Sequence, residues 1–66
     1  MKQASKKEDT KQRILDEALR LFSQSGYDAV SVERIASAVG IKAPSLYKHF
    51  KSKQEIFDAI VAEKYR

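Results

Sequence analysis

Two glycines and a single proline divide the apolar pattern of this 66-residue sequence into short segments. Within each segment the apolar side chains recur at steps of three and four, which predicts amphipathic helices rather than strands. Gly26 and Gly40 favour helix ends, because glycine adopts the left-handed backbone conformation at no steric cost. Pro44 favours the first position of a helix. The pattern therefore predicts an all-α fold.

Four helices are expected in chain order. The predicted segments are residues 10–25, 32–39, 44–50 and 53–66. Residues 1–8 carry no apolar period and are expected to form a flexible basic tail. Residues 9–52 then form a three-helix domain. Because the fourth helix has no glycine or proline stop signal, we expect the natural protein to continue beyond residue 66.

Capping residues support the expected helix starts. Ser31 is expected to cap the second helix by accepting a backbone N–H. Ser52 and Glu55 match a capping box, in which the glutamate carboxylate reaches back to the serine N–H. Asp9 or Thr10 is expected to cap the first helix.

The expected core consists of one apolar stripe per helix: Ile14, Leu15, Ala18, Leu19 and Phe22; Val32, Ile35, Ala36 and Val39; Leu46 and Phe50; Ile56, Phe57, Ile60 and Val61.

The composition argues against several classes of protein. There is no cysteine, which excludes disulfides and thiolate metal sites. His49 is the only histidine and cannot complete a metal site alone. No catalytic Ser-His-Asp arrangement or phosphate-binding glycine loop is present, so we expect neither an enzyme nor a cofactor. No stretch suits a transmembrane helix or a signal peptide, which favours a soluble cytoplasmic protein without a membrane partner.

Residues 32–50 have the spacing of a helix-turn-helix. Ala36 is small where two helices must approach closely, and Gly40 supplies the backbone conformation of a tight turn. The helix that follows is then held rigidly, with its outer face free to enter a DNA major groove. Helical hairpins in other proteins share this spacing. The alternative is therefore a helical protein-interaction module whose basic face docks an acidic partner.

Positive charge is concentrated on the same segment. The chain has a net charge of +4, and residues 42–53 carry four lysines and no acidic residue. Lysine and arginine neutralise phosphates and release counterions, which supplies most of the sequence-independent affinity for DNA. A solvated lysine cluster is the simpler reading of such a run. Following this turn, however, the cluster favours contact with phosphates.

The residues of these motifs resemble those of one protein family. The residues are Ser31-Val-Glu-Arg-Ile-Ala, Val39-Gly-Ile and Ser45-Leu-Tyr-Lys-His-Phe-Lys-Ser-Lys-Gln-Glu-Ile. They resemble the N-terminal domain of the tetracycline-repressor (TetR) family of transcriptional regulators, over roughly residues 10–60. The combination Leu-Tyr-x-His-Phe-x-Ser-Lys after a Gly-Ile turn is far more specific than helix-turn-helix spacing.

The resemblance implies roles for individual residues. Base contacts are expected around the turn and along the third helix, from Lys42, Ala43, Pro44, Ser45 and Lys48. Phosphate contacts are expected from Ser31, Arg34, Tyr47, His49, Lys51 and Lys53. Helix N-termini attract anions, which suits Ser31 and the start of the fourth helix. Glu33 is expected to serve the helix dipole, and for His49 a packing role stays equally open.

The resemblance also implies properties of a longer protein. Family members are homodimers that bind near-palindromic operators, mostly as repressors released by a small-molecule inducer. The ligand-binding and dimerisation domain would lie beyond residue 66, so we expect these residues to be an excised DNA-binding domain. The expected partners are operator DNA, a second subunit and an inducer, at the bacterial nucleoid in the cytoplasm. The sequence leaves open the operator, the inducer and the regulated genes.

Overall fold

The computed structural model describes residues 6–65, with the side chains of residues 10–63 and 65. Their secondary structure is helical throughout, without a strand in this part of the chain, which confirms the all-α prediction. The elements are α1 (Lys6–Ser25), the 3-10 helix η1 (Tyr27–Ala29), α2 (Val32–Val39), α3 (Ala43–Tyr47) and α4 (Lys53–Lys64). Helix α1 packs against both α2 and α4, and α3 packs against α2.

Helix α1 starts earlier than its apolar stripe indicates. It begins at Lys6 rather than near residue 10, so Asp9 and Thr10 lie within the helix and do not cap it. Lysine and glutamate have high helix propensity, which accounts for the extra turn. The predicted tail 1–8 is therefore shortened, and its residues 1–5 lie outside the described part.

Helix α2 has the predicted ends. The Ser31 hydroxyl oxygen accepts the Arg34 backbone N–H at 3.0 Å, which confirms the N-cap. At the other end Gly40 has φ 91° and ψ 26°, the left-handed conformation. The Gly40 N–H donates to Ser37 O at 3.1 Å and the Ile41 N–H to Ala36 O at 3.0 Å. This pair of bonds is a Schellman motif, which satisfies two carbonyls at the end of the helix.

Helix α3 is shorter than the predicted 44–50. It begins one residue before Pro44 and ends at Tyr47. The next hydrogen bonds, from Lys48 N–H to Ser45 O (3.2 Å) and from His49 N–H to Leu46 O (2.8 Å), have the spacing of a 3-10 turn. The chain therefore tightens after Tyr47, while Phe50 still turns inward and is buried.

Helix α4 starts with the predicted serine cap. The Ser52 hydroxyl oxygen accepts the Glu55 N–H at 3.2 Å. The Glu55 carboxylate, however, accepts the backbone N–H of Lys51 at 2.9 Å, not that of Ser52. Glu55 therefore fastens the loop one residue further from the helix than a capping box requires. The helix ends at Lys64 rather than at residue 66, with Tyr65 as its C-cap.

The described core is entirely apolar. Its buried members are Ile14, Leu15, Ala18, Leu21, Val30, Val32, Ile35, Ala36, Val39, Leu46, Phe50, Ile56 and Ile60. Leu19 and Phe22 are half-buried at its edge. Two predicted members are wrong: Phe57 and Val61 are 38% and 39% exposed. The inward face of α4 is Ile56, Ala59 and Ile60, which turns Phe57 and Val61 to the side.

An aromatic cluster, formed by Phe22, Tyr27 and Phe57, joins η1 to α1 and α4. The ring centroids lie 5.3 Å apart for Phe22 and Tyr27, 5.5 Å for Tyr27 and Phe57, and 6.1 Å for Phe22 and Phe57. These are favourable tilted and edge-to-face arrangements. The cluster explains why Phe57 is large and apolar although it is not in the core.

Candidate nucleic-acid interface

Helix α3 has one buried residue and otherwise offers its side chains to the surface. Leu46 is fully buried, whereas Pro44, Ser45 and Tyr47 are exposed. Leu46 and the α2–α3 turn hold the helix against α2, and we call the exposed side of α3, with Pro44, Ser45 and Tyr47, the ridge. Lys42, directly before α3, and Lys48, directly after it, are exposed as well. Ala43 is half-buried. The five predicted base-reading residues therefore lie on or beside one short helix.

The lysines on and beside α3 form no ion pair with another side chain that the structure describes. Lys42, Lys48 and Lys51 are exposed, and among the described side chains none of their ammonium groups forms an ion pair. The Glu55 carboxylate accepts the backbone N–H of Lys51, not its ammonium group. The ion pair between Arg20 and Glu17, at 2.6 Å, lies on α1. Unpaired ammonium groups keep their full attraction for an anion, because no internal bridge has to break first.

The start of α2 exposes further polar groups. Ser31, Glu33 and Arg34 are exposed, and α2 and α3 are packed together. The Ser31 side chain is used as the N-cap, which leaves its hydroxyl hydrogen free to donate to a phosphate oxygen. Glu33 lies in the first turn of the helix, where its charge complements the helix dipole.

Lys53 is held more firmly than the other lysines. Its Nζ atom donates to the Tyr27 backbone oxygen at 2.7 Å and lies 4.1 Å from the centre of the Tyr27 ring. The Tyr27 hydroxyl donates to Gln54 Oε1 at 3.1 Å. Tyr27 is four residues before Ser31, so these contacts bring the start of α4 close to the loop that leads into α2. The ammonium retains two further N–H donors for a phosphate.

The remaining predicted phosphate contacts occupy different environments. Tyr47 is 40% exposed, as expected from its position next to the buried Leu46. Lys51 is exposed in the loop before α4, whereas His49 is half-buried. The predicted residues 42–51 thus lie on α3 and the turns beside it, whereas Ser31 and Arg34 lie at the start of α2 and Lys53 at the start of α4. The half-buried His49 has both a packed and an accessible side.

Two residues outside the predicted site make contacts that join its elements to the rest of the domain. Arg13 of α1 donates from Nη2 to the carbonyl oxygen of Val39 at 2.7 Å, and Tyr27 holds Lys53 as described. Both contacts join residues 26 positions apart in sequence. Helical periodicity carries no signal of such pairs, because it describes only which face of one helix is apolar.

Other kinds of site are not found in the described residues. No group of three or more histidine, cysteine or acidic side chains is placed to hold a metal ion there. Within residues 6–65, no helix combines the length and the apolar character that crossing a membrane requires.

Comparison with known proteins identifies the family. A profile described as "Bacterial regulatory proteins, tetR family" matches residues 14–60. The HTH-type transcriptional regulator AcrR of Shigella flexneri is 47% identical over 53 residues, which are 80% of this chain and 25% of that protein. The Staphylococcus aureus (strain Newman) regulator IcaR, whose name describes a negative transcriptional regulator of the biofilm operon icaADBC, is 47% identical over 51 residues. Those residues are 77% of this chain and 27% of IcaR.

A solved structure shows the same fold. The crystal structure of a TetR/AcrR-family transcriptional regulator from Thermobifida fusca YX-ER1 matches with a TM-score of 0.80 and 39% identity. The match covers 82% of this chain and 30% of that one. The chain spans about a quarter of the length of the curated relatives it matches. Since the family profile covers most of the sequence, the chain belongs to the TetR family of bacterial regulatory proteins.

Proposed function

We propose that this chain is a sequence-specific DNA-binding domain of a transcriptional regulator, and that α3 is its recognition helix. The observation that carries the proposal is the division of α3 into one buried residue, Leu46, and an exposed ridge flanked by unpaired lysines. A helix held in this way can enter the major groove while its flanks contact the phosphates.

The ridge has the chemistry of a base-reading surface. Lys42 and Lys48 can donate to the O6 and N7 acceptors of guanine, and the Ser45 hydroxyl can donate to or accept from a base edge. Ala43 and Pro44 offer apolar surface to a thymine methyl group. Lysine is a flexible point charge, so we expect weaker discrimination than from a bidentate arginine.

The flanking residues have the chemistry of phosphate contacts. Each flanking side chain carries a hydrogen-bond donor. These residues are Ser31, Arg34, Tyr47, His49, Lys51 and Lys53. Lys53 is held at the first residue of α4 by Tyr27, which fixes its position before DNA arrives. Contacts of this kind set the register of the protein on the duplex without reading its sequence.

For the whole protein we propose a ligand-responsive repressor that acts as a homodimer in the cytoplasm, at the nucleoid. IcaR, a similar protein, is described as a negative regulator, which supports repression. Two linked copies bind two half-sites far more tightly than one copy binds one. A symmetric dimer requires a near-palindromic operator. Dimerisation and inducer binding would fall to residues beyond this domain.

The direct test is an NMR titration of the chain with a short mixed-sequence duplex at two salt concentrations. Amide shifts at residues 31–34 and 42–53 that fade with salt are the expected result. Shifts confined to α4, around Val61, would instead favour the protein-interaction module. An acidic peptide that produced the same shifts as DNA would also contradict the proposal.

Sequence reading needs a second experiment. Duplexes are selected from a random pool, once with the wild-type chain and once with the variant, and binding to the selected duplex is compared with binding to a shuffled duplex of equal length. The Ser45→Ala, Lys48→Ala double variant is expected to select a different sequence from the wild type. Arg20→Ala is the matched control, because it also removes one positive charge but from α1, where Arg20 is paired with Glu17. An unchanged preference in the double variant would refute the assignment of α3.

A further inference from the structure

The carbonyl oxygen of Val39, the last residue of α2, is bound by a side chain from another helix. Arg13 of α1 donates from Nη2 to this oxygen at 2.7 Å, in a partly buried contact. Arg13 is not among the proposed base- or phosphate-contacting residues. The contact lies at the point where the chain leaves α2 and enters the turn to α3.

The geometry of the turn explains why an arginine is useful there. The Schellman bonds occupy the carbonyls of Ala36 and Ser37. The Val39 carbonyl lies beyond the reach of these bonds and belongs to the negative end of the helix dipole. A guanidinium N–H supplies the missing donor, and a charged donor makes a stronger hydrogen bond than a neutral one.

The orientation of α3 depends strongly on this turn. Helix α3 has five residues and one buried side chain, Leu46, and it packs against α2. A residue that fixes the end of α2 to α1 therefore also fixes the direction in which the turn starts α3. Arg13 is thus linked to the recognition helix through Val39 and Gly40, without lying on it.

We infer that Arg13 is a positioning residue for DNA reading. By anchoring the Val39 carbonyl to α1, it holds α3 at the angle at which Lys42, Ser45 and Lys48 reach the base edges together. This inference rests on the proposed function. It assigns Arg13 an effect on sequence discrimination, in addition to the stability that any buried hydrogen bond supplies.

The test uses Arg13→Gln and Arg13→Lys in the whole 66-residue chain, with Arg20→Gln as the charge-matched control. The readout is the dissociation constant for a shuffled duplex divided by that for a duplex selected by the wild-type chain, both measured at one salt concentration. Each variant is measured at a temperature at which circular dichroism shows it to be folded. If Arg13→Gln does not fold, Arg13→Leu, which keeps the apolar stem and removes the donor, takes its place.

We expect Arg13→Gln to lower the ratio about tenfold, the scale of one lost charge-assisted hydrogen bond. Arg13→Lys, which keeps a charged donor, should retain the ratio within about threefold, and Arg20→Gln should leave it unchanged. A variant that melts earlier but keeps the ratio would overturn the inference, because Arg13 would then support stability alone. A wild-type chain without any sequence preference would overturn the proposed function, and the role of Arg13 with it.

Discussion

Leu46→Ala tests the orientation of α3, on which the candidate interface depends. Leu46 is 0% exposed and is the single buried residue of its helix. Replacing a fully buried leucine by alanine removes its apolar contacts and leaves a cavity, which costs about 2–5 kcal/mol. Because the helix is short and sits at the edge of the domain, some collapse around the cavity is expected, so we take about 3 kcal/mol.

That loss is large for a domain of this size. Folded domains are stable by only about 5–15 kcal/mol. In a domain of 60–100 residues, 1 kcal/mol shifts the midpoint of thermal unfolding by roughly 4–8 °C. We therefore expect Leu46→Ala to melt about 12–24 °C below the wild type. Thermal unfolding followed by circular dichroism measures this directly.

The neighbouring residue is the matched control. Tyr47 is 40% exposed, so Tyr47→Ala should lower the stability by about 1 kcal/mol, within the ordinary range for a residue outside the core. Its DNA affinity should fall by more than its stability explains, because a phosphate contact is lost. If Tyr47→Ala destabilised the domain as much as Leu46→Ala, or if Leu46→Ala cost under 1 kcal/mol, the described orientation of α3 would be refuted.

Three further substitutions have defined outcomes. Ser31→Ala removes the N-cap of α2 and should lower the free energy of unfolding by about 1 kcal/mol in urea titrations, whereas Ser31→Asp should not. Gly40→Ala meets no atom within 4 Å, yet φ is 91°; the backbone strain alone should cost about 1–2 kcal/mol, measured as a lower melting temperature. Lys53→Ala should weaken binding to all duplexes alike and reduce the slope of log affinity against log salt by about one; a sequence-dependent loss would contradict the phosphate role.

The local features of this fold are legible in the sequence. Ser31 and Ser52 cap helices, and Gly40 ends one, because each effect depends on a backbone partner within four residues. The burial of Leu46 and the exposure of Tyr47 can be predicted in the same way, because adjacent positions on a helix point about 100° apart. The inner and outer sides of α3, and hence the exposed candidates, could therefore be predicted without coordinates.

Features that depend on distant contacts could not be predicted in this way. Phe57 has the spacing of a core residue but lies in the aromatic cluster, since its surroundings are set by Phe22 and Tyr27 from other elements. The hydrogen bond from Lys53 Nζ to the Tyr27 backbone oxygen likewise joins two elements far apart in sequence. The end of α3 at Tyr47 reflects a change from α to 3-10 hydrogen bonds that residue pattern does not encode.

The single buried residue of α3 has a consequence for how such domains diversify. Substitutions at surface positions rarely change stability by more than about 0.5 kcal/mol, and the exposed Lys42, Ser45 and Lys48 are positions of this kind. A duplicated copy of this chain can therefore exchange Lys42, Ser45 or Lys48 while Leu46 and the core stay as they are. With α3 as the proposed recognition helix, selection for a new target and selection for folding act on different side chains of α3 and its flanks. The proposed sequence specificity can therefore change at little cost in folding stability.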